Sequence, residues 1–167
     1  MSNAEERKPV GHIVDTVRLD YTYTPGVAAQ KFLRGLENGK IMGQACDSCD
    51  RVYVPPRGAC PRCGVPTSRE VEVSDKGTVV IFSVVRVPSA AIQVELPYVA
   101  AHVLLDGADI AFQALIQECK FDQVRMGMRV QALWKPKSEW GPSFENIAYF
   151  RPIDEPDVPY EQFKEHA

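Results

Sequence analysis

The sequence has little positive charge and no long apolar run. Its 19 lysines and arginines are outnumbered by 22 aspartates and glutamates, and the formal net charge is −3. General nucleic-acid binding requires a basic surface that displaces phosphate counterions, so this composition argues against it. No apolar run approaches membrane-spanning length, and the opening residues MSNAEERKPV lack the apolar core of a signal peptide. We therefore expect a cytoplasmic protein that binds neither nucleic acid nor membrane.

Catalytic side chains are also scarce. The three histidines, His12, His102 and His166, lie in no recognisable nucleophile arrangement with a serine or cysteine. His102 alternates with apolar residues in VAAHVLLD, which favours a structural histidine over a catalytic base. Cys119 stands alone, and we expect an inert thiol. Without a glycine-rich phosphate loop or dinucleotide fingerprint, the chain is expected to have no enzymatic activity alone.

The sequence does contain a dense cysteine cluster. Four of the five cysteines lie in QACDSCDRVYVPPRGACPRCG, residues 44–64, as two Cys-x-x-Cys pairs separated by ten residues. Cytoplasmic thiols stay reduced, so paired cysteines there are more often metal ligands than disulfides. Two such turns facing each other form a tetrahedral site of four sulfurs, the closed geometry of structural Zn²⁺. The predicted ligands are Cys46, Cys49, Cys60 and Cys63.

The identity and role of the metal leave alternatives. CPRCG also resembles a rubredoxin knuckle, and four-sulfur ligation alone does not separate zinc from iron. We favour zinc because an electron carrier rarely needs the remaining strand-rich sequence, but a rubredoxin-like electron carrier stays open. Thioredoxin-type redox catalysis is disfavoured, because a thioredoxin-type pair lies in a βαβ unit and neither of these pairs does. Four thiolates leave no open position for an activated water, so the predicted role is structural.

The stretch TPGVAAQKFLRGLENGK predicts an amphipathic helix. Thr24 can cap it, Pro25 suits the first helical position, and Gly39 suits the exit. Its apolar face is expected to pack either on the chain's own core or on another subunit. The residues of that face are Val27, Phe32, Leu33 and Leu36.

After residue 64 the pattern changes to a period of two. REVEVSDKGTVVIFSVVRVP predicts two strands around a turn at 74–77, and PYVAAHVLLDGADIAFQALI predicts a hairpin turning at Asp106-Gly107. MGMRVQALWKP and SFENIAYFRP predict two more strands. The expected fold is mainly β: an N-terminal helix, a rubredoxin-like zinc ribbon, then a five-stranded OB-fold barrel.

These patterns divide the chain into four segments. We expect an N-terminal arm and amphipathic helix at 1–43, a zinc ribbon at 44–68, and the barrel at 69–150. An acidic, proline-broken tail, 151–167, is expected to wrap the surface. Residues 1–22 are polar and unpatterned, which indicates a loose arm or an extended segment packed on a partner.

The order of helix, ribbon and barrel, together with CDSCDRVYVPPRGACPRCG, resembles a known family. Its members are acyl-CoA-associated proteins that join a rubredoxin-like zinc ribbon to an OB-fold. GTVVIFSVVRVP, LPYVAAHVLLDGADI and VRMGMRVQALW resemble the barrel strands of that family, and the resemblance covers about residues 26–150.

The resemblance implies a non-catalytic subunit in a hetero-oligomer. Its partner would be a thiolase-superfamily enzyme, often of the sterol-carrier-protein-associated type. The partner would bring the catalytic residues, while this chain would share an acyl-CoA ligand with it. The implied reactions are thiolytic or retro-aldol C–C cleavage, for example of steroid side-chain or aryl-succinyl CoA substrates.

Binding of CoA requires cations for its phosphates. The candidate contacts for CoA or a partner are Arg51, Arg57 and Arg62 in the ribbon, flanked by Lys40 and Arg69. A solvated ribbon surface explains these residues equally well. A small-residue loop at 88–97 is a candidate border of an acyl channel, although a loop without a ligand is as plausible.

A nucleic-acid-binding module is the other alternative function, because OB-folds and zinc ribbons both serve that role. It requires stacking aromatics among cationic residues. The barrel aromatics are instead scattered in aliphatic surroundings with few lysines or arginines between them. They are Phe82, Tyr98, Phe112 and Trp134.

Overall fold

A computed structural model describes residues 11–14, 19–88 and 94–166. Part of the predicted arm (1–10 and 15–18) and the centre of the 88–97 loop lie outside the described residues. The helices are α1 (Val27–Glu37) and α2 (Tyr160–Phe163), and the strands are β1 (Ile41–Cys46), β2 (Val52–Tyr53), β3 (Thr67–Val73), β4 (Lys76–Val85), β5 (Tyr98–Leu105), β6 (Phe112–Ile116), β7 (Arg129–Trp134) and β8 (Ile147–Pro152). None of the helices in the described part is long and apolar enough to cross a membrane.

The eight strands form two sheets. β2, β1 and β3 make a three-stranded antiparallel sheet with β1 in the centre. The other five close into a barrel in the order β4-β5-β6-β8-β7. Its one parallel contact joins β6 to β8 through Ile116 and Phe150, and its other pairs are antiparallel. This closed five-stranded barrel behind a ribbon confirms the predicted mainly-β OB-fold.

The barrel interior is filled by alternate residues of its strands. Along β5 the buried residues are Val99, Ala101, Val103 and Leu105, which alternate with less buried ones. His102 is one of the outward-facing residues and its side chain is exposed. The histidine predicted to be structural therefore lies on the outer surface, because the period-two pattern places it opposite the core.

Helix α1 packs on the chain's own core. Phe32 and Leu36 are buried in the same cluster as Ile41 and the barrel residues. The face of α1 that carries Phe32 and Leu36 is therefore covered by the chain itself, without another subunit. Val27, which the sequence placed on that face, is instead 72% exposed, because it lies in the first turn.

The start of α1 differs from the prediction. The first helical hydrogen bond runs from Gln30 N to Gly26 O, so Gly26 is the N-cap. Thr24 and Pro25 lie before the helix. Gly39, with φ of +72°, takes the left-handed conformation after the helix end, as predicted for the exit.

The two predicted strands around 74–77 are present as β3 and β4, and their connection is residues 74–75. They do not pair with each other, because β3 belongs to the β1 sheet and β4 to the barrel. β5 and β6 do form the predicted hairpin, but their connection spans residues 106–111 rather than two residues. The longer loop reaches β2, where Asp109 N donates to Val52 O and Val52 N donates to Asp109 Oδ2.

The C-terminal tail lies along the barrel. Val158 N donates to Gly127 O at 2.8 Å, and the Phe163 side chain is 2% exposed. His166 Nδ1 lies 2.8 Å from Asp109 O, in the loop that contacts β2. These contacts attach the tail to the barrel, and its last turn lies next to the junction of ribbon and barrel.

Candidate metal centre

The four predicted cysteine ligands converge at one point. Their sulfur atoms all lie within 4.8 Å of one another, and all four cysteines are free. Cys46 ends β1, Cys49 lies in the turn that follows, and the second pair lies in a turn between β2 and β3. Cys46 and Cys60 are fully buried, whereas Cys49 and Cys63 are partly exposed. The sequence spacing thus correctly placed all four residues in one cluster.

The two cysteine turns have matching backbone hydrogen bonds. Cys46 N donates to Arg51 O and Asp50 N donates to Cys46 O, at 3.0 and 2.9 Å. In the second turn Cys60 N donates to Val65 O and Gly64 N to Cys60 O, both at 2.8 Å. Each turn needs a left-handed residue directly after its second cysteine.

The left-handed positions are Gly64, at φ +70°, and Asp50, at φ +56°. The sequence identified Gly64 by its freedom at positive φ. Asp50 was missed, although aspartate is among the few other residues that tolerate this conformation.

The sulfur geometry fits a tetrahedral metal. A tetrahedron with metal–sulfur bonds of ~2.3 Å has sulfur–sulfur edges of ~3.8 Å. Cys49 Sγ and Cys60 Sγ lie 3.8 Å apart. The arrangement is that of a zinc ribbon, and its four sulfurs leave no position for substrate or catalytic water.

Hydrogen-bond donors surround the sulfurs. Ser48 N donates to Cys46 Sγ at 3.4 Å, and Tyr53 Oη lies 3.1 Å from Cys60 Sγ. The hydrogen bond between Tyr53 and Cys60 lowers the pKa of Cys60 to about 6 and raises the pKa of Tyr53 to about 12. The pKa of Cys63 is raised instead, first through its hydrogen bond with Cys49 and then through burial. The cluster therefore favours a thiolate at Cys60.

Tyr53 was missed by sequence reasoning. It lies in the apolar run VYVPP between the two pairs, where an aromatic residue predicts only burial. Nothing in that pattern says that the hydroxyl faces a sulfur.

The ribbon arginines fall into two groups. Arg69 forms ion pairs with Asp50 and Asp47, and Lys40 with Glu72, so the two flanking cations are neutralised. Among the described residues, by contrast, no carboxylate forms an ion pair with the three predicted contact residues, Arg51, Arg57 and Arg62.

These three arginines lie in different surroundings. Arg57 is exposed, with its guanidinium carbon 5.9 Å from the ring centroid of Tyr53. Arg62 is exposed in the second cysteine turn. Arg51 is half-buried in a pocket of about 240 Å³ between ribbon, barrel and tail, which Asp109 and His166 also line. Arg57 and Arg62 do not line that pocket.

Cys119 lies away from the cluster, in the wall of a cavity of about 420 Å³ beside the start of β5. Burial raises the pKa of its thiol, which reduces the reactive thiolate fraction at neutral pH. This environment agrees with an inert thiol.

Comparison with known proteins supports the two-part architecture. The family described as "ChsH2, rubredoxin-like zinc ribbon domain" matches residues 34–68, and "ChsH2, C-terminal OB-fold domain" matches residues 70–135. Two solved structures share the fold. One is titled "Ltp2-ChsH2(DUF35) aldolase" (TM-score 0.60, 23% identity, covering 78% of this chain and 98% of that one). The other is a DUF35 protein of unknown function from Sulfolobus solfataricus (TM-score 0.57, 21% identity, covering 76% and 84%).

Curated relatives are similar over more than half of the chain. A protein of Methanocaldococcus jannaschii named "DUF35 domain-containing scaffold protein" is 38% identical over 103 residues, which cover 60% of this chain and 72% of that protein. A protein of Methanothermobacter thermautotrophicus with the same name is 31% identical over 103 residues, covering 60% and 76%. The chain belongs to the DUF35 family, with a zinc ribbon and an OB-fold domain of the ChsH2 type.

Proposed function

We propose that this chain is a zinc-containing, non-catalytic subunit of a thiolase-superfamily complex that cleaves C–C bonds of acyl-CoA substrates. Its role there is to assist acyl-CoA binding and complex assembly, while the partner carries out thiolytic or retro-aldol cleavage. The observation that carries the proposal is the set of unneutralised arginines beside a closed metal site. A surface that holds charge and has no open metal position is suited to binding rather than chemistry.

The arginines supply the polar part of an acyl-CoA site. Arg57 and Arg62 are exposed and have no ion-pair partner within the described ranges, so their charge is available to phosphate oxygens. Arg51 is also without an ion pair there, but it shares its pocket with Asp109 and Glu165. Guanidinium groups pair with phosphates through strong, charge-assisted hydrogen bonds.

An apolar pocket supplies a place for the acyl part. It has a volume of about 270 Å³ and opens between α1, β6 and β8, where β6 and β8 pair only at Ile116 and Phe150. Its floor is buried and apolar, and includes Phe32 and Leu36 of α1. Apolar protein cavities of ~150 Å³ are known to bind benzene. The pocket in this chain is larger, so it can hold a larger hydrocarbon group.

Helix α1 connects these two features. Ala28 Cβ lies 3.7 Å from the position that a Cβ on Gly58 would take, next to Arg57. Phe32 and Leu36 follow Ala28 at intervals of four residues, on the same helix face. The ribbon loop and the apolar pocket therefore lie along one face of α1. The helix rises about 12 Å between Ala28, next to the loop, and Leu36, in the pocket, at ~1.5 Å per residue.

The names of the similar proteins support the assembly role. The curated relatives are named scaffold proteins, and one structural neighbour is titled as an aldolase of Ltp2 with ChsH2(DUF35). In this chain, large apolar side chains before α1 remain uncovered. Those of the described arm are Ile13, Val14, Leu19, Tyr21 and Tyr23, each at least 69% exposed. A partner surface would remove them from water, which is favourable by ~25 cal/mol per Å².

The first experiment isolates the tagged chain from its native host under low-salt and high-salt conditions. We expect a thiolase-like subunit at fixed stoichiometry, identified by mass spectrometry and by co-elution in gel filtration. A chain that runs alone, with no thiolase-like protein bound, would overturn the proposal.

The second experiment titrates the purified complex with acetyl-CoA by calorimetry. Arg57→Ala should retain its metal and weaken acetyl-CoA affinity about tenfold, because one charge-assisted hydrogen bond is lost. Arg34→Ala is the matched control, since Arg34 is exposed but already paired with Glu37. Unchanged affinity in Arg57→Ala would assign Arg57 to the solvated surface.

Metal analysis tests the cofactor. Protein expressed with both metals supplied should contain one zinc per chain and be colourless. Iron with the visible absorption of a four-thiolate site would support the electron-carrier alternative instead.

A further inference from the structure

Tyr53 lies inside the ribbon with its hydroxyl facing the cysteine cluster. It is the second residue of β2 and 1% exposed, and it packs with Cys46 and Cys60 in one buried group. Its Oη lies 3.1 Å from Cys60 Sγ. This contact goes beyond the four ligands and beyond the proposed function, because it concerns the metal centre alone.

Metal binding determines whether Tyr53 Oη or Cys60 Sγ donates the hydrogen bond between them. Cysteines bind a divalent metal as thiolates, so a metal-bound Cys60 sulfur carries no proton and can only accept. The Tyr53 hydroxyl then donates. A divalent cation with four thiolates carries a net charge of −2, and buried charge is costly unless it is hydrogen-bonded.

We propose that Tyr53 is a positioning residue of the metal centre, whose hydroxyl withdraws electron density from the Cys60 sulfur and slows loss of the metal. Arg57 lies over the outer face of the same ring, at 5.9 Å from its centroid, and helps to hold it in place. Hydrogen bonds around a metal's ligands fix their orientation and tune the metal, and removing one typically costs ~10–100-fold in metal affinity.

Tyr53→Phe separates this role from packing, because phenylalanine keeps the ring and removes only the hydroxyl. In the Co²⁺-loaded variant, the sulfur-to-metal charge-transfer band should move to lower energy, since a sulfur without its hydrogen bond gives up electron density more readily. Transfer of Zn²⁺ to a chromophoric chelator should be about tenfold faster or more.

Tyr149→Phe is the matched control. Its hydroxyl also donates a hydrogen bond, to Glu118 Oε1 at 2.7 Å, but on the barrel and not in the ribbon. Its cobalt spectrum and zinc-release rate should equal those of the wild type. An unshifted charge-transfer band together with an unchanged release rate in Tyr53→Phe would reduce Tyr53 to a packing residue.

A measurement on the wild-type protein covers the case in which Tyr53→Phe does not fold. In protein loaded with an NMR-active cadmium isotope, the buried Tyr53 hydroxyl proton should exchange slowly and show scalar coupling to the metal through Cys60. A rapidly exchanging hydroxyl without such coupling would overturn the inference. None of these three measurements involves CoA or a partner, so failure here is distinguishable from failure of the proposed function.

Discussion

The ribbon and the barrel are both built from short strands, but they differ in how much apolar surface they bury. Within the described residues, the large core cluster contains sixteen buried residues, most of them in the barrel. The ribbon cluster contains three there, namely Cys46, Tyr53 and Cys60, and two of these belong to the four-cysteine cluster. Full burial of an aliphatic or aromatic side chain contributes ~1.5–3 kcal/mol, so three residues cannot hold the cysteine turns together. We therefore expect the barrel to depend on its apolar core and the ribbon to depend on a bound metal.

The boundary between these two modes of stabilisation lies within the ribbon sheet. Ile41, Val54 and Val73, from its strands or next to them, belong to the large core cluster. Asp109 and Val52 exchange hydrogen bonds between the barrel loop and β2. The base of the ribbon is therefore part of the barrel's core, and we expect only the two cysteine turns to rely on a metal.

Cys60→Ser should have the largest effect, because metal binding supplies ~10–16 kcal/mol in zinc-finger peptides. We expect loss of the metal and fast hydrogen exchange in residues 46–64, with slow exchange retained in β5. Elemental analysis and hydrogen-exchange mass spectrometry measure both effects. Cys119→Ser, which removes the cysteine outside the cluster, should retain metal. Full metal content in Cys60→Ser would disprove the four-sulfur site.

Phe150→Ala tests the barrel, which we expect to be stabilised by its apolar core. Phe150 is fully buried and packs edge-to-face on Phe112. Its replacement by alanine should lower the free energy of unfolding, measured in urea, by ~3–5 kcal/mol. Metal content per folded molecule should stay unchanged. Phe144→Ala is the control, since Phe144 is 53% exposed and its ring contact with Phe32 accounts for only ~1 kcal/mol. Metal loss in folded Phe150→Ala would show that ribbon and barrel form one cooperative unit.

The sequence predicted best where one physical constraint dominates. Tetrahedral sulfur ligation restricts the spacing of cysteines, so both pairs were identified from spacing alone. Side-chain alternation in a strand is geometric, so the buried face of β5 could be predicted from VAAHVLLD. Gly39 and Gly64 could be predicted because a left-handed residue is needed at each site.

The sequence predicted poorly where the answer depends on contacts between distant segments. The pairing of β3 with β1 depends on the fold of the ribbon, which the local pattern does not contain, so no pairing partner could be predicted for this strand. The 106–111 loop is longer than its Asp-Gly turn signal because Asp109 reaches Val52, 57 residues away in sequence. The Tyr53–Cys60 contact depends in the same way on how β2 closes over the second cysteine turn.

Arg129→Met should have a smaller effect than Cys60→Ser or Phe150→Ala. Arg129 Nη1 and Nη2 donate to Asp106 at 2.7 and 2.5 Å, and Nε donates to Glu155 at 3.0 Å, joining β7 to a loop and the tail. Its side chain is 10% exposed, but that of Asp106 is 46% exposed and can regain water. We therefore expect a loss of ~1–3 kcal/mol in urea unfolding monitored on the barrel, the range for polar groups that lose a hydrogen-bond partner.

The control for Arg129 is Arg125→Met. Arg125 also forms a two-contact ion pair, with Asp157, but both side chains are more than one-third exposed. Exposed pairs contribute ~0–1 kcal/mol, so this variant should be close to wild type. Equal losses in the two variants would mean that burial of Arg129 does not determine its contribution.

The smallest effect concerns Glu155, whose pKa is lowered below its ordinary value of about 4.5 by Lys76 first and by Arg129 second. A carboxylate with a depressed folded-state pKa contributes stability above its unfolded pKa and loses it as pH falls through the folded pKa. The difference in unfolding free energy between wild type and Glu155→Gln should thus be constant near neutral pH and shrink below about pH 4.5. Fluorescence of Trp134 and Trp140, which pack together on the barrel side, can follow unfolding without reporting metal release from the ribbon. A difference that persists unchanged to pH 3 would mean that it does not arise from the ion pairs of the ionised Glu155.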